Sequence, residues 1–300
     1  MRIIVSNNNK QNFFAVFGLL FGAVCWGIIW YPYRLMAEAG FSGVVSSFYT
    51  YSIAVLMGAL IFANRWRGVF ALPKSSLGLC LAAGWTNLSY VLAVIDGEVM
   101  RVMLLFYLSP LWTLILAHYW LKEPIHKLGM VTIVVSLTGA LIMLHDFNSH
   151  SWPIPRNQAE WLALSSGMGF SLTNVMTRHA THLSIQAKSM LVWVGVASMA
   201  LMLLPLMGQA VPTVSVFNAT QWQLMLLIAV LLMAATVFVQ YGVTKITAIR
   251  ASVLFLFELV VAAVASYYLA NEAMTWNEWL GGSLIIAAAL LSATQPTHHE

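Results

Sequence analysis

Residues 101–123 (RVMLLFYLSPLWTLILAHYWLKE) and 250–272 (RASVLFLFELVVAAVASYYLANE) are built to one plan. Each opens on an arginine, runs about 20 apolar residues with a polar interruption early on, and closes on a glutamate. With Arg101 set on Arg250, Leu105 falls on Leu254, Phe106 on Phe255, Tyr119 on Tyr268 and Glu123 on Glu272 without a gap. Apolar identities alone arise easily by chance. Charges bracketing two runs of equal length are better evidence, and they point to an internal repeat of membrane-spanning segments.

The rest of the chain agrees with a membrane solvent. Of its 300 residues, 60% are hydrophobic and 8% are charged, against roughly 25% charged in a soluble domain. The net charge of +4 would raise the question of nucleic acid in a soluble protein. In so apolar a chain it reports membrane orientation instead, and no nucleic-acid partner is expected. Cys25 and Cys80 both lie in apolar segments, which excludes a disulfide framework and a cysteine metal site.

Residues 1–12 are polar and read as a cytoplasmic tail. The apolar run after them is an uncleaved first span, with no small-residue cleavage site behind it. Further runs long enough to cross the hydrocarbon core fall near 42–64, 77–95, 99–119, 127–145, 160–180, 185–207, 221–244, 250–270 and 279–295. The longest polar break carries two prolines and no apolar periodicity. The expectation is an all-α polytopic membrane protein of ten transmembrane helices: a first five-helix repeat at 13–147, a linker at 148–158, a second repeat at 159–296 and a tail at 297–300.

With a cytoplasmic amino terminus, the inner segments collect Arg2, Lys10, Arg65, Arg67, Lys74, Lys122, Lys127, Arg178, Lys188, Lys245 and Arg250. The outer ones keep only Arg34, Arg101 and Arg156. That bias places both termini inside. Five is odd, so tandem halves enter the bilayer from opposite sides and are related by an axis in the membrane plane. Arg34 outside then matches Arg178 inside, as Arg101 matches Arg250. Inverted repeats of this kind build two alternately opening gates around one central site, the plan of a secondary transporter.

The chain resembles the drug/metabolite transporter superfamily, EamA type. The residues that carry the resemblance are Trp26-Gly27 in the first span, the closing Glu123 of LKEP and Glu272 of ANEA, and the following Gly129 and Gly281-Gly282. The family's glutamate–proline step is split here between Ser109-Pro110 and Glu258-Leu259, and the second half has Phe170-Ser171 where the first has Trp26-Gly27. Within the superfamily the overall character is most similar to aromatic amino-acid exporters of the YddG type. That likeness implies export from the cell across a bacterial inner membrane.

Glu258 is the one carboxylate well inside a span, eight residues past Arg250. A charge there is costly and faces a partner or a cavity, which makes it a candidate for proton coupling or for holding a substrate amine; a glutamate locking two helices together is the plainer alternative. Pro32 and Pro110 each remove a backbone bond inside an apolar run and are candidate hinges or kinks, whether for a cavity or for packing alone. Gly18-Leu-Leu-Phe-Gly22 has the spacing of close helix contact.

A cavity between spans 1, 3, 4, 6, 8 and 9 would be lined by Trp26, Trp30, Tyr90, Tyr107, Ser109, Trp112, Asn174, Gln240, Tyr241 and Glu258. Such walls are rich in aromatic faces and poor in fixed charge, and a zwitterion suits them. The expected substrates are neutral amino acids with aromatic or large apolar side chains, and the runner-up is a broad exporter of hydrophobic or cationic drugs and metabolites. The expected partners are that solute, the lipid bilayer and, as coupling ion, protons. No cofactor, metal or nucleotide site is expected. A multi-pass membrane enzyme would need a second ionisable group at depth, and a purely structural role leaves the repeat unexplained.

Overall fold

The computed structural model describes residues 2–63, 75–97, 99–124, 127–144, 155, 157–269 and 276–293. Arg65, Arg67, Lys74, Glu98, Arg156, Glu272, most of the linker and the 297–300 tail lie outside them. The described residues form α-helices, with one 3-10 turn at Val214–Val216 and no strand among them. In order these are α1 (Arg2–Glu38), α2 (Gly43–Ile61), α3 (Ser75–Asp96), α4 (Val99–Phe106), α5 (Ser109–Leu121), α6 (Lys127–Leu144), α7 (Gln158–His179), α8 (Ile185–Leu206), α9 (Ala219–Lys245), α10 (Ala248–Phe255), α11 (Phe257–Leu269) and α12 (Trp276–Ala293).

Helices are the only open-chain solution for a backbone in lipid, because every amide finds its acceptor within its own segment. The exposed first turns are closed by side chains. Ser42, Asn157, Ser184 and Thr247 each accept an amide three residues on, and Asn218 with Gln221 forms a reciprocal capping box. Six stretches are long and apolar enough to cross a membrane: Gln11–Glu38, Gly43–Ile61, Ser76–Asp96, Ile185–Leu206, Ala219–Lys245 and Ala248–Leu269. The shorter apolar helices at Lys127–Ile142 and Trp279–Ala288, together with α7 and the α4–α5 pair, bring the helical segments among the described residues to ten. The first helix begins at Arg2, so residues 2–12 continue it rather than forming a separate coil.

The two segments that share a plan are not continuous helices. Residues 99–121 break into α4 of 8 residues and α5 of 13, and residues 248–269 break into α10 of 8 and α11 of 13. With Arg101 on Arg250, the Tyr107 break falls on Leu256. At both junctions the backbone tightens to bonds three residues apart, from Leu108 N to Leu105 O at 3.3 Å and from Leu256 N to Val253 O at 3.1 Å. Pro110 sits at the start of α5, where a missing amide costs nothing. Pro32 lies within α1, which continues through it to Glu38.

The packing is that of an inverted repeat. α1 packs along α9 as its counterpart α7 packs along α3, while α2 with α8 and α6 with α12 pair across the axis. Glycines set these contacts. A Cβ on Gly18 would lie 2.7 Å from the Phe238 carbonyl oxygen, and one on Gly22 would meet Val239, so the spaced pair on α1 is where α9 comes close. Gly84 against the Gly195 carbonyl, and Gly139 against that of Gly281, do the same for α3 with α8 and α6 with α12. The helix ends gather at two poles. One pole carries Glu123, Arg178, Lys188, Lys245 and Arg250. At the other, Ser42 donates to Gln209 at 2.6 Å and Tyr49 donates to the Pro212 carbonyl.

Candidate functional site

A cavity lies at the centre of the bundle where the two halves meet. Its walls come from α1 (Trp26, Ile29, Tyr33), α2 (Tyr51), α3 (Ala83, Thr86, Asn87, Tyr90, Val91), α4 (Phe106), α7 (Phe170, Thr173, Asn174), α8 (Val192), α9 (Leu232, Thr236, Val239, Gln240) and α11 (Glu258). Glu258 is the one ionisable carboxylate among the described lining residues, and no lysine, arginine or histidine joins it.

Symmetry-related aromatics build one wall, with Trp26, Phe106 and Phe170 lining it and Phe255 buried behind them. Trp26 falls on Phe170 when Arg34 is set on Arg178, and Phe106 falls on Phe255. Their rings interlock: Trp26 with Phe170 at 5.7 Å, Phe106 with Phe170 at 5.4 Å, Phe170 with Phe255 at 5.0 Å and Trp26 with Phe255 at 5.5 Å. Tyr90 adds an edge contact to Phe106 at 5.2 Å. Edge-on and tilted rings at such spacings are mutually attractive and present faces on which an aromatic solute can stack.

The half-helices are held by the residues that follow Trp26 and Phe170. A Cβ on Gly27 would stand 2.9 Å from the Glu258 carbonyl oxygen and 2.8 Å from Val261, so only glycine lets α11 lie this close to α1. Ser171, at the matching place on α7, instead donates its hydroxyl to the Ser109 carbonyl at 2.7 Å. Ser109 is the counterpart of Glu258. The tryptophan–glycine pair missing from the second half is thus replaced by a phenylalanine–serine pair that grips the same backbone position by a hydrogen bond. Gly167, one turn earlier on α7, lies against the Phe106 backbone, where a Cβ would be 2.5 Å from the carbonyl oxygen.

Several buried polar atoms have no partner among the described residues, including Tyr90 OH, Asn174 Nδ2 and Gln240 Oε1 on the cavity wall. Buried polar atoms are rarely left so, and those beside a cavity suit water or a ligand. Asn174 offers a donor, while Gln240 and Glu258 offer acceptors.

Of the residues singled out from sequence, Trp26, Tyr90, Asn174, Gln240 and Glu258 line the cavity. The others lie beside it. Trp30 belongs to a core cluster with Ala93, Val102, Leu105, Ala163 and Ala265. Tyr107 is buried at the α4–α5 break, and Ser109 faces Ser171. Trp112 lies on α5, its indole nitrogen without a partner among the described residues, and Tyr241 packs against a buried cluster that includes Val239, Val243 and Leu254. Tyr33, Tyr51, Thr86, Asn87, Thr173 and Thr236 join the wall without being among the expected residues, as do Phe106 and Phe170. Asn87, an amide in mid-span, was the one with a signal; it accepts from Tyr51 OH at 2.7 Å and donates to the Ala83 carbonyl at 2.9 Å.

Comparison with known proteins bears on the repeat and the fold. The family model of the EamA-like transporter family matches residues 13–145 and again 157–294, once for each half. An uncharacterized transporter of Archaeoglobus fulgidus is 23% identical over 219 residues, covering 73% of this chain and 76% of its own. A solved crystal structure with 12% identity superposes with a TM-score of 0.76 over 93% of this chain and 96% of its own, which shows a shared fold. With both halves of the repeat matched, the chain belongs to the EamA-like transporter family.

Proposed function

We propose that the protein is a secondary transporter of neutral amino acids with aromatic or large apolar side chains, moved by alternating access through the central cavity. The observation that carries this reading is the cavity wall: interlocked aromatic rings, amides with an unpaired donor and an unpaired acceptor, and one carboxylate with no cation beside it. A zwitterion matches that set. Its ammonium group pairs with Glu258 and Gln240 Oε1, its carboxylate accepts from Asn174 Nδ2 and Tyr90 OH, and its side chain stacks on Trp26, Phe106 and Phe170. A strongly anionic solute would meet Glu258 without a compensating lysine or arginine. The protein would sit in a bacterial inner membrane with both termini cytoplasmic, and Glu258 would carry the proton of a proton-coupled export cycle.

One feature favours a second reading. Glu258 is the sole charge of the described wall, and a hydrophobic cation needs only that and aromatic faces. Competition for flux in liposomes of purified protein separates the two. Phenylalanine, tryptophan and methionine are expected to compete with one another, with tetraphenylphosphonium leaving their flux intact. If tetraphenylphosphonium competes and the amino acids do not, the cation reading replaces the amino-acid one.

A further inference from the structure

The two poles of the bundle are closed differently. At the basic pole, α10 packs directly on α5, α6 and α7. Among the described residues its symmetry counterpart α4 packs on α7, α3 and α6, but not to any comparable extent on α11, α12 or α1. At that opposite pole the large side chain of Trp30 shares a core cluster with Val102 and Leu105 of α4 and Ala265 of α11. Trp30 stands where Asn174 does in the second half, so a bulky ring occupies the place of a small amide.

The tight pole is held by charge. Lys122 ends α5 in the left-handed conformation, φ 55°, which turns the chain so that Glu123 leaves the helix axis. The Glu123 carboxylate, nearly buried, accepts the first amide of α10, Ala248 N, at 3.1 Å and 3.2 Å through its two oxygens. It lies 3.5 Å from Arg178 Nε on α7. Arg178 also donates to the Thr244 carbonyl at 2.9 Å, at the end of α9. Lys188, fully buried at the start of α8, donates to the Thr177 carbonyl at 2.7 Å and to the Thr244 hydroxyl at 2.9 Å. One carboxylate and two cations thus tie α5, α7, α8, α9 and α10 together where the half-helix α10 begins. By contrast Arg34, the counterpart of Arg178, stacks over the Trp30 ring at 5.0 Å.

We infer that Glu123, with Arg178, Lys188 and Thr244, is a latch that closes the pole the charge bias assigns to the cytoplasm, and that it sets how often the cavity opens there. Inverted symmetry gives the open form. For the basic pole to take the arrangement now seen opposite, α10 must leave α5, and the Ala248–Glu123 bonds break as it does. A contact made in one state and lost in the other shifts the balance between them by its differential strength. Glu123 acts through the position of α10 and touches no solute. The inference rests on the alternating-access reading but not on the choice of substrate.

The test is accessibility. Thr236→Cys on the cavity wall, in full-length protein with Cys25 and Cys80 replaced by alanine, is labelled by a membrane-impermeant thiol reagent added to one face of oriented membrane vesicles at a time. With the latch intact, labelling from the cytoplasmic face is expected to be the slower. Glu123→Gln removes the charge that the amide and Arg178 share, and the ratio of cytoplasmic to external labelling is expected to rise about tenfold, the factor that corresponds to about 1.4 kcal/mol. Thr244→Val, which removes one acceptor of Lys188 together with the hydroxyl's own bond to the Gln240 carbonyl, serves if Glu123→Gln fails to fold, and is expected to shift the ratio in the same direction by a smaller factor. A purely structural Glu123 would lower thermal stability and leave the ratio unchanged; an unchanged ratio in the variant that folds overturns the latch. A shifted ratio in protein that carries no phenylalanine would keep the latch and remove the amino-acid substrate instead.

Discussion

Glu258 is where the proposed chemistry is concentrated. It is the second residue of a half-helix, 3% exposed, on a cavity wall whose other described members are neutral. Glu258→Gln keeps the shape and a carbonyl acceptor but removes the charge and the proton site. Phenylalanine flux in liposomes is expected to fall by about 10-fold or more, the equivalent of a charge-assisted hydrogen bond reduced to a neutral one. The remaining flux should lose its dependence on a pH gradient. Flux and pH dependence equal to wild type would leave Glu258 a packing residue. Its place on the wall was legible because a carboxylate in an apolar run is conspicuous. Thr86 and Thr236 were not, since each hydroxyl returns to a carbonyl of its own helix, Ala82 at 2.7 Å and Leu232 at 2.6 Å, and threonine can do that on any face. Trp30 misled for the opposite reason: it lies one turn from Trp26, and only the placement of α4 decides that one ring meets the cavity while the other fills a gap between helices.

Among the elements, the broken spans matter most. Proline announced a disturbance near Pro110, yet Leu254-Phe255-Leu256-Phe257 contains no glycine or proline and still breaks. The contact beside the break is tertiary: α11 lies on α1 at Gly27, against the Glu258 carbonyl. Gly27→Ala tests that contact. The added methyl group meets a backbone carbonyl as well as the Val261 side chain, so relief requires α11 to move. A loss of about 1–3 kcal/mol is expected, the usual cost of overpacking, seen as a lower melting temperature in detergent together with reduced flux. A variant as stable and active as wild type would mean that α11 does not depend on this close approach.

At the scale of the molecule, the count of spans, the division into halves and the inverted relation between them were all legible, because lipid enforces length, apolarity and charge bias on every segment. The grouping of Glu123 with Arg178 and Lys188 at the basic pole was not legible, because the two halves carry almost the same plan and these residues meet only where the fold brings α5, α7 and α8 together. One cavity served by two doors that exchange has a direct signature in the distances between paired spin labels. One pair, at Lys122 and Lys245, spans the basic pole; the other, at Asp96 and Leu269, spans the opposite one. On addition of phenylalanine and a pH gradient, the first distance is expected to lengthen in the same population in which the second shortens. Distances that lengthen together, or that stay fixed while phenylalanine crosses the membrane, would contradict alternating access through this cavity.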